Sequence, residues 1–69
     1  MERLIDRQVE VFYWLNGQSE NYVGIVERVN NNLVFLTDVR ANRSGRIRAE
    51  DQVVNTLSVS FVRFEIISR

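Results

Sequence analysis

The sequence predicts an all-β domain of five strongly bent antiparallel strands, with a short helix at the N-terminus. Three observations carry this. Residues 22–39 read as a β-hairpin: Val23, Ile25 and Val29 fall on one face of the first half, and residues 33–36, LVFL, form an apolar run of strand-favouring types. Asn30, Asn31 and Asn32 lie between the halves. Asparagine tolerates left-handed backbone angles and bonds its own backbone, so the triplet is a turn with a mechanism. The third observation is a change of phase. Apolar residues hold odd positions at Leu57, Val59 and Phe61, then even ones at Val62, Phe64 and Ile66. Strand side chains repeat every two residues, so the switch requires a bulge or a corner.

In chain order, residues 2–8, ERLIDRQ, suit one or two helical turns with Leu4 and Ile5 inward. Short helices are marginal alone and need packing. Residues 9–15, VEVFYWL, have strand composition, and Asn16-Gly17 marks the turn after them. The polar residues 18–21 lengthen that connection. The central hairpin follows. Its second strand lacks polar alternation, which places it in the middle of the sheet, covered on both faces. Residues 40–52, RANRSGRIRAEDQ, read as a protruding loop or hairpin tip carrying Arg40, Arg43, Arg46 and Arg48 before Glu50 and Asp51 reverse the sign. Residues 53–62 then form a fourth strand and residues 64–68 a fifth, with Arg63 at the corner between them.

Five curved strands joined by short connections make a small barrel of the SH3-like or OB-like kind. The last two strands are apolar and end the order, so they are expected at the edges, and exposed apolar edges pair with something. A chain of 69 residues is one domain spanning residues 1–69, too small to bury much of its surface. Disulfides, a metal or oligomerisation are the usual remedies. The chain has no cysteine and no histidine, so neither a disulfide nor a common transition-metal site is expected. Pairing with another copy remains, through Leu57, Val59, Phe61, Phe64 and Ile66. If the edges joined differ, the contact is head-to-tail and closes into a ring. No apolar run approaches the roughly 18 residues of a membrane span, and no signal peptide is visible. The expectation is a soluble cytoplasmic protein, with no cofactor and no small-molecule substrate.

This order of elements resembles the Sm and Sm-like (LSm) family, which includes the bacterial Hfq rings. The first family motif is matched loosely by Gly17, Gly24, Ile25, Val26, Val29, Asn30 and the run from Leu33 to Asp38. The second, an apolar residue, Arg, Gly and an apolar strand, is matched by Val62, Arg63 and residues 64–67; Ile47-Arg48-Ala49 is a rival placement. The departures are specific. The two glycines are two residues further apart than usual, Asn30 stands where Asp is expected, the turn is one residue short, and Phe64 replaces the glycine after Arg. The resemblance implies an Sm-like barrel in a homo-oligomeric ring of about five to seven copies. In such rings the fourth strand of one copy pairs with the fifth of the next. It also implies single-stranded RNA at the pore, contacted by Asn30, Asn31, Asn32 and Arg63.

The chemistry suits that role. Unstacked bases are read by guanidinium or aromatic planes and by hydrogen bonds to their edges, and an Asn amide offers donor and acceptor together. All nine basic residues are Arg and none is Lys, while the net charge is zero. Arg40, Arg43, Arg46 and Arg48 are candidates for sequence-independent phosphate contacts; the plain alternative is a solvated loop balanced by Glu50 and Asp51. Arg63 could equally pair with Glu65. Phe12, Tyr13 and Trp14 cannot all face the core from consecutive strand positions, so a subunit contact or the N-terminal helix is expected to cover one or two of them. Catalysis is not expected. Without His or Cys the usual nucleophile–base pairs are missing, and no glycine-rich phosphate loop is present. Two functions remain: a ring that binds RNA, or a structural or adaptor ring that uses the same faces for protein contacts.

Overall fold

A computed structural model describes residues 2–42 and 45–68. It is an all-β structure: one turn of 3-10 helix (η1, Glu2–Leu4), then β1 (Gln8–Leu15), β2 (Gln18–Asn30), β3 (Leu33–Arg40), β4 (Ile47–Asn55) and β5 (Phe61–Ser68). All four ladders are antiparallel, and the sheet order is β4-β3-β2-β1-β5. The sheet is not closed: β4 and β5 form its two edges and share no ladder.

The two hairpin turns follow from their residues. Asn16 and Gly17 both adopt positive φ, 53° and 77°. That pairing of Asn and Gly gives the tight two-residue turn whose twist matches the flanking strands. Pairing begins at once with Leu15 opposite Gln18, so residues 18–21 open β2 rather than lengthen the connection. In the second hairpin Asn31 takes the left-handed conformation, φ 56°, and Asn30 pairs with Leu33.

Bulges bend the sheet. The β2–β3 register shifts twice, leaving one extra residue on β3 near Asp38 (φ 53°) and one on β2 at Glu27. On β4 the extra residue is Arg48; on β5 they are Val62 and Ile67. Each bulge adds twist and bends its strand. Gly24 marks a close approach: a β-carbon there would lie 3.1 Å from Leu36 Cδ1 and 3.2 Å from its Cβ, so a side chain fits only if Leu36 gives way. The curl brings both ends of the order to one core. Val9, Val11, Val26, Val34, Leu36, Val39 and Val54 cluster there, with Leu4, Tyr22, Val29, Phe61 and Phe64 packed around them. Fully burying such aliphatic side chains contributes roughly 1.5–3 kcal/mol each.

Several sequence expectations need correction. Of the N-terminal helix, only one 3-10 turn forms; Leu4 packs inward but Ile5 is exposed. Val23 is fully buried yet lies outside the cluster that Val29 joins, because the Glu27 bulge changes the phase of β2 between them. The centre of the order is β2, not β3. Residues 47–52 belong to β4, so the arginine-rich loop is much shorter than 40–52. The strand expected over residues 53–62 is broken: residues 56–60 form a turn. Within it Asn55 Oδ1 accepts from the Leu57 amide and the Ser58 amide donates to Asn55 O, both at 3.0 Å. The phase switch is real and is a bulge. Val62 is the extra residue between the Phe12–Arg63 and Tyr13–Phe61 pairs. Arg63 therefore lies within β5, not at a corner before it. Consecutive strands pair except for the last two, since β5 crosses over to β1.

Candidate functional site

The asparagine turn is bolted to the β4–β5 turn. Asn32 Nδ2 donates to Asn55 Oδ1 at 2.6 Å, and both the amide and the hydroxyl of Thr56 donate to Asn32 O at 2.9 Å. Asn32 is thus occupied in joining two turns. Asn30 and Asn31 are exposed beside it. Close by on the same hairpin, the Arg28 guanidinium lies 3.8 Å from the centroid of Phe35, its cross-strand partner.

Arg63 sits elsewhere. It stacks over its β1 partner Phe12, 4.1 Å from the ring centroid, and donates from Nε (3.1 Å) and Nη2 (2.7 Å) to one oxygen of Glu65. Both side chains are about half exposed, so the pair contributes only about 0.2–1 kcal/mol. The turn and Arg63 are held by different partners on different ladders.

The arginine cluster divides as well. Arg46 is exposed in the β3–β4 connection, and Arg43 lies outside the described residues. Arg40 and Arg48 instead line one cavity of about 320 Å3, at the mouth of the curled sheet between the β1–β2 hairpin and β4. Tyr13, Tyr22, Asn21, Glu20 and Gln52 share it. Arg48 is itself a bulge residue, and Arg40 lies between it and the shift near Asp38 in the register. Arg40 also donates to Gly45 O at 3.3 Å. The tyrosine rings meet edge to face, 5.5 Å apart. Burial, and secondarily Tyr13, push the Tyr22 hydroxyl up to about 12; a hydrogen bond with the Gln52 side chain counteracts them. Tyr22 is therefore a neutral phenol at physiological pH.

Sequence reasoning missed this cavity. The signal was available in Asn16-Gly17: a two-residue turn sets Tyr13 opposite Glu20 and Val11 opposite Tyr22, which makes the two tyrosines diagonal neighbours on one face.

The five residues expected at a subunit contact also divide. Phe61 and Phe64 stack on each other, centroids 4.9 Å apart, against the core. Leu57 (76%), Val59 (100%) and Ile66 (51%) are exposed, as are Val53 on β4, Val62 on β5 and Trp14 on β1. Among the described residues no group of acidic side chains is placed to hold a metal ion, and no helix is long and apolar enough to cross a membrane. Comparison with protein-family models, curated proteins and solved structures found no match. The fold and the site together define an open, curled five-stranded sheet with two free edges and a polar mouth.

Proposed function

We propose that the chain is an Sm-like module whose copies join head-to-tail, β4 of one to β5 of the next. The resulting homo-oligomeric ring binds single-stranded RNA at its pore and acts in RNA metabolism in the cytoplasm. The observation that carries the reading is the strand order. One curled sheet ends in two unpaired antiparallel edges, and both carry exposed apolar side chains, Val53 on one and Val62 and Ile66 on the other. Free edges recruit strands, and joining two different edges makes a heterologous contact that can close into a ring. RNA would meet Asn30 and Asn31 on the turn, repeated once per copy, with the Arg28–Phe35 pair offering a stacking plane beside them.

A second reading is the same ring used only for protein contacts. The Arg63–Glu65 pair favours it, because a guanidinium already held by a carboxylate is a weaker RNA ligand, and a net charge of zero gives no steering towards phosphates. Light scattering tests the shared part. A mass several-fold above the 8.1 kDa chain is expected, falling to one chain in Ile66→Asp; a wild-type monomer would overturn both readings. Titration with uridine- and adenine-rich oligoribonucleotides at low and high salt separates them. Binding that weakens in Asn31→Ala supports the RNA ring, and no binding at either salt leaves the protein-contact ring.

A further inference from the structure

The cavity at the sheet mouth lies within one chain and depends on no assembly. Its volume, about 320 Å3, sits at the small end of the roughly 300–1,000 Å3 range of ligand sites. Its chemistry is mixed in a particular way. Two guanidinium groups, Arg40 and Arg48, reach it from β3 and β4, and each offers the planar fork that fits a phosphate. Arg40 Nη1 donates to Gly45 O, one of the five donors a guanidinium carries. Two phenol rings, Tyr13 and Tyr22, supply aromatic faces and edges, and stacking of a base on such a ring is sequence-tolerant. Two side-chain amides, Asn21 and Gln52, also line it; Asn21 Nδ2 donates to Glu10 and the Gln52 amide bonds the Tyr22 hydroxyl, and an amide has further hydrogen-bonding positions for the edge of a base. Glu20 is the one carboxylate among the lining residues; it accepts from ribose hydroxyls and disfavours a long phosphate chain.

We propose that this cavity binds a nucleotide, a single aromatic base with its ribose and one phosphate. The bulges supply an independent reason. Arg48 is the extra residue of β4, and Arg40 is the first β3 residue paired with β2 beyond the shift at residues 38–39. Bulges commonly re-aim a side chain beside a site. Here one arginine is a bulge residue and the other lies next to a register shift, on the strands that form the mouth. The ligand is either a free mononucleotide or the phosphorylated end of an RNA strand, which share this chemistry.

The test is calorimetric titration with AMP, UMP, the two nucleosides, inorganic phosphate, and one oligoribonucleotide with and without a 5′ phosphate, each repeated while following backbone amide shifts. AMP or UMP is expected to bind and to shift amides in residues 20–22, 40 and 52. The nucleosides and phosphate alone are expected to bind at least about tenfold more weakly. Arg48 is exposed and outside the core, so Arg48→Ala should keep the melting temperature while weakening mononucleotide binding at least about tenfold. Tyr13→Leu should weaken the nucleotides and leave phosphate unchanged. Asn31→Ala should leave mononucleotide binding intact, since the asparagine turn is held by a different set of partners. Tighter binding of the 5′-phosphorylated strand than of AMP or UMP would identify a strand end as the ligand, and equal affinity a free mononucleotide. The proposal is overturned if neither binds at millimolar concentration, if phosphate alone binds as well as AMP, or if Arg48→Ala binds as tightly as wild type.

Discussion

Replacing Gly24 by alanine isolates the close approach of β2 to Leu36. A β-carbon at this position would lie 3.1 Å from Leu36 Cδ1, 3.2 Å from Leu36 Cβ and 3.5 Å from Thr37 O. The first contact could relax by a rotamer change, but Leu36 is buried to 1% exposure within the core, and its Cβ moves only with the backbone of β3. Two effects oppose each other. Alanine in a strand interior is favoured over glycine by roughly 0.5–1 kcal/mol through the unfolded state. Overpacking a tight core costs about 1–3 kcal/mol. The clash involves a stiff atom, so it wins, and Gly24→Ala should destabilise by about 1–2 kcal/mol. For a domain this size that lowers the melting temperature by roughly 5–15 °C. Urea titration followed by tryptophan fluorescence reads the change as a lower midpoint at constant slope. A double-mutant cycle with Leu36→Ala identifies the cause. Leu36→Ala alone should cost about 2–5 kcal/mol. In that background the Cδ1 contact has gone while the Cβ contact stays, so Gly24→Ala should still destabilise, with a coupling of no more than about 0.5 kcal/mol. A Gly24→Ala protein as stable as wild type would refute the close-approach account, and a cost that Leu36→Ala abolishes would refute the part given to Leu36 Cβ.

Other expectations concern the turns, the surface pair and the buried phenol. Gly17 has φ 77° with open space around it, so Gly17→Ala should cost about 1–2 kcal/mol from backbone strain alone, visible as a lower melting temperature with no change in the core; no loss would mean the turn can relax. Glu65→Ala should cost less than about 1 kcal/mol, by an amount that shrinks in high salt. The freed Arg63 stands on another ladder from the asparagine turn, so oligonucleotide affinity should be unchanged; a rise would bring Arg63 into the RNA site. Tyr22 titrates higher when folded, at about 12 against about 10 unfolded. The folded state thus keeps its proton where the unfolded state has lost it, and stability present below pH 10 drains away as pH rises towards 12. Absorbance of tyrosinate should show one of the two phenols titrating late in wild type but not in Tyr22→Phe, whose urea midpoint should fall less between pH 9 and 11. Two phenols titrating together near 10 would contradict the burial of Tyr22.

Much of the sheet was legible where local chemistry decides the backbone. Asn16-Gly17 and the asparagine triplet gave both hairpins, and the odd-to-even switch around Val62 gave a bulge one residue from where it lies. The errors have one source: solvent on both sides of the chain. Residues 47–52, IRAEDQ, pair along β3, but the strand lies at an edge with Arg48, Glu50, Asp51 and Gln52 exposed, so its composition imitates a loop. The reverse happened at residues 56–60. Leu57 and Val59 alternate with Ser58 and Ser60 as a half-buried strand would. The segment turns instead because Asn55 and Ser58 bond amides two residues ahead and Asn32 anchors Thr56. That anchor is a contact between distant parts of the chain, invisible to any local pattern. The cavity was missed for a similar reason. Arg40 and Arg48 were noted as charges, but Tyr13, Tyr22 and Gln52 join them only after the sheet curls.

Because β5 lies against β1, the first strand stays half-dressed during synthesis until the last has left the ribosome. Val9 and Val11, both at the heart of the core, spend that interval with one neighbour instead of two. Pairing the sequence-distant strands late is entropically slow, so folding should fall in the millisecond-to-second regime of high-contact-order β proteins rather than the microseconds of helical bundles. A nascent or clipped chain ending near Ser60 would show β1 as a sticky ribbon, and there a chaperone, or a stray copy, would find its hold.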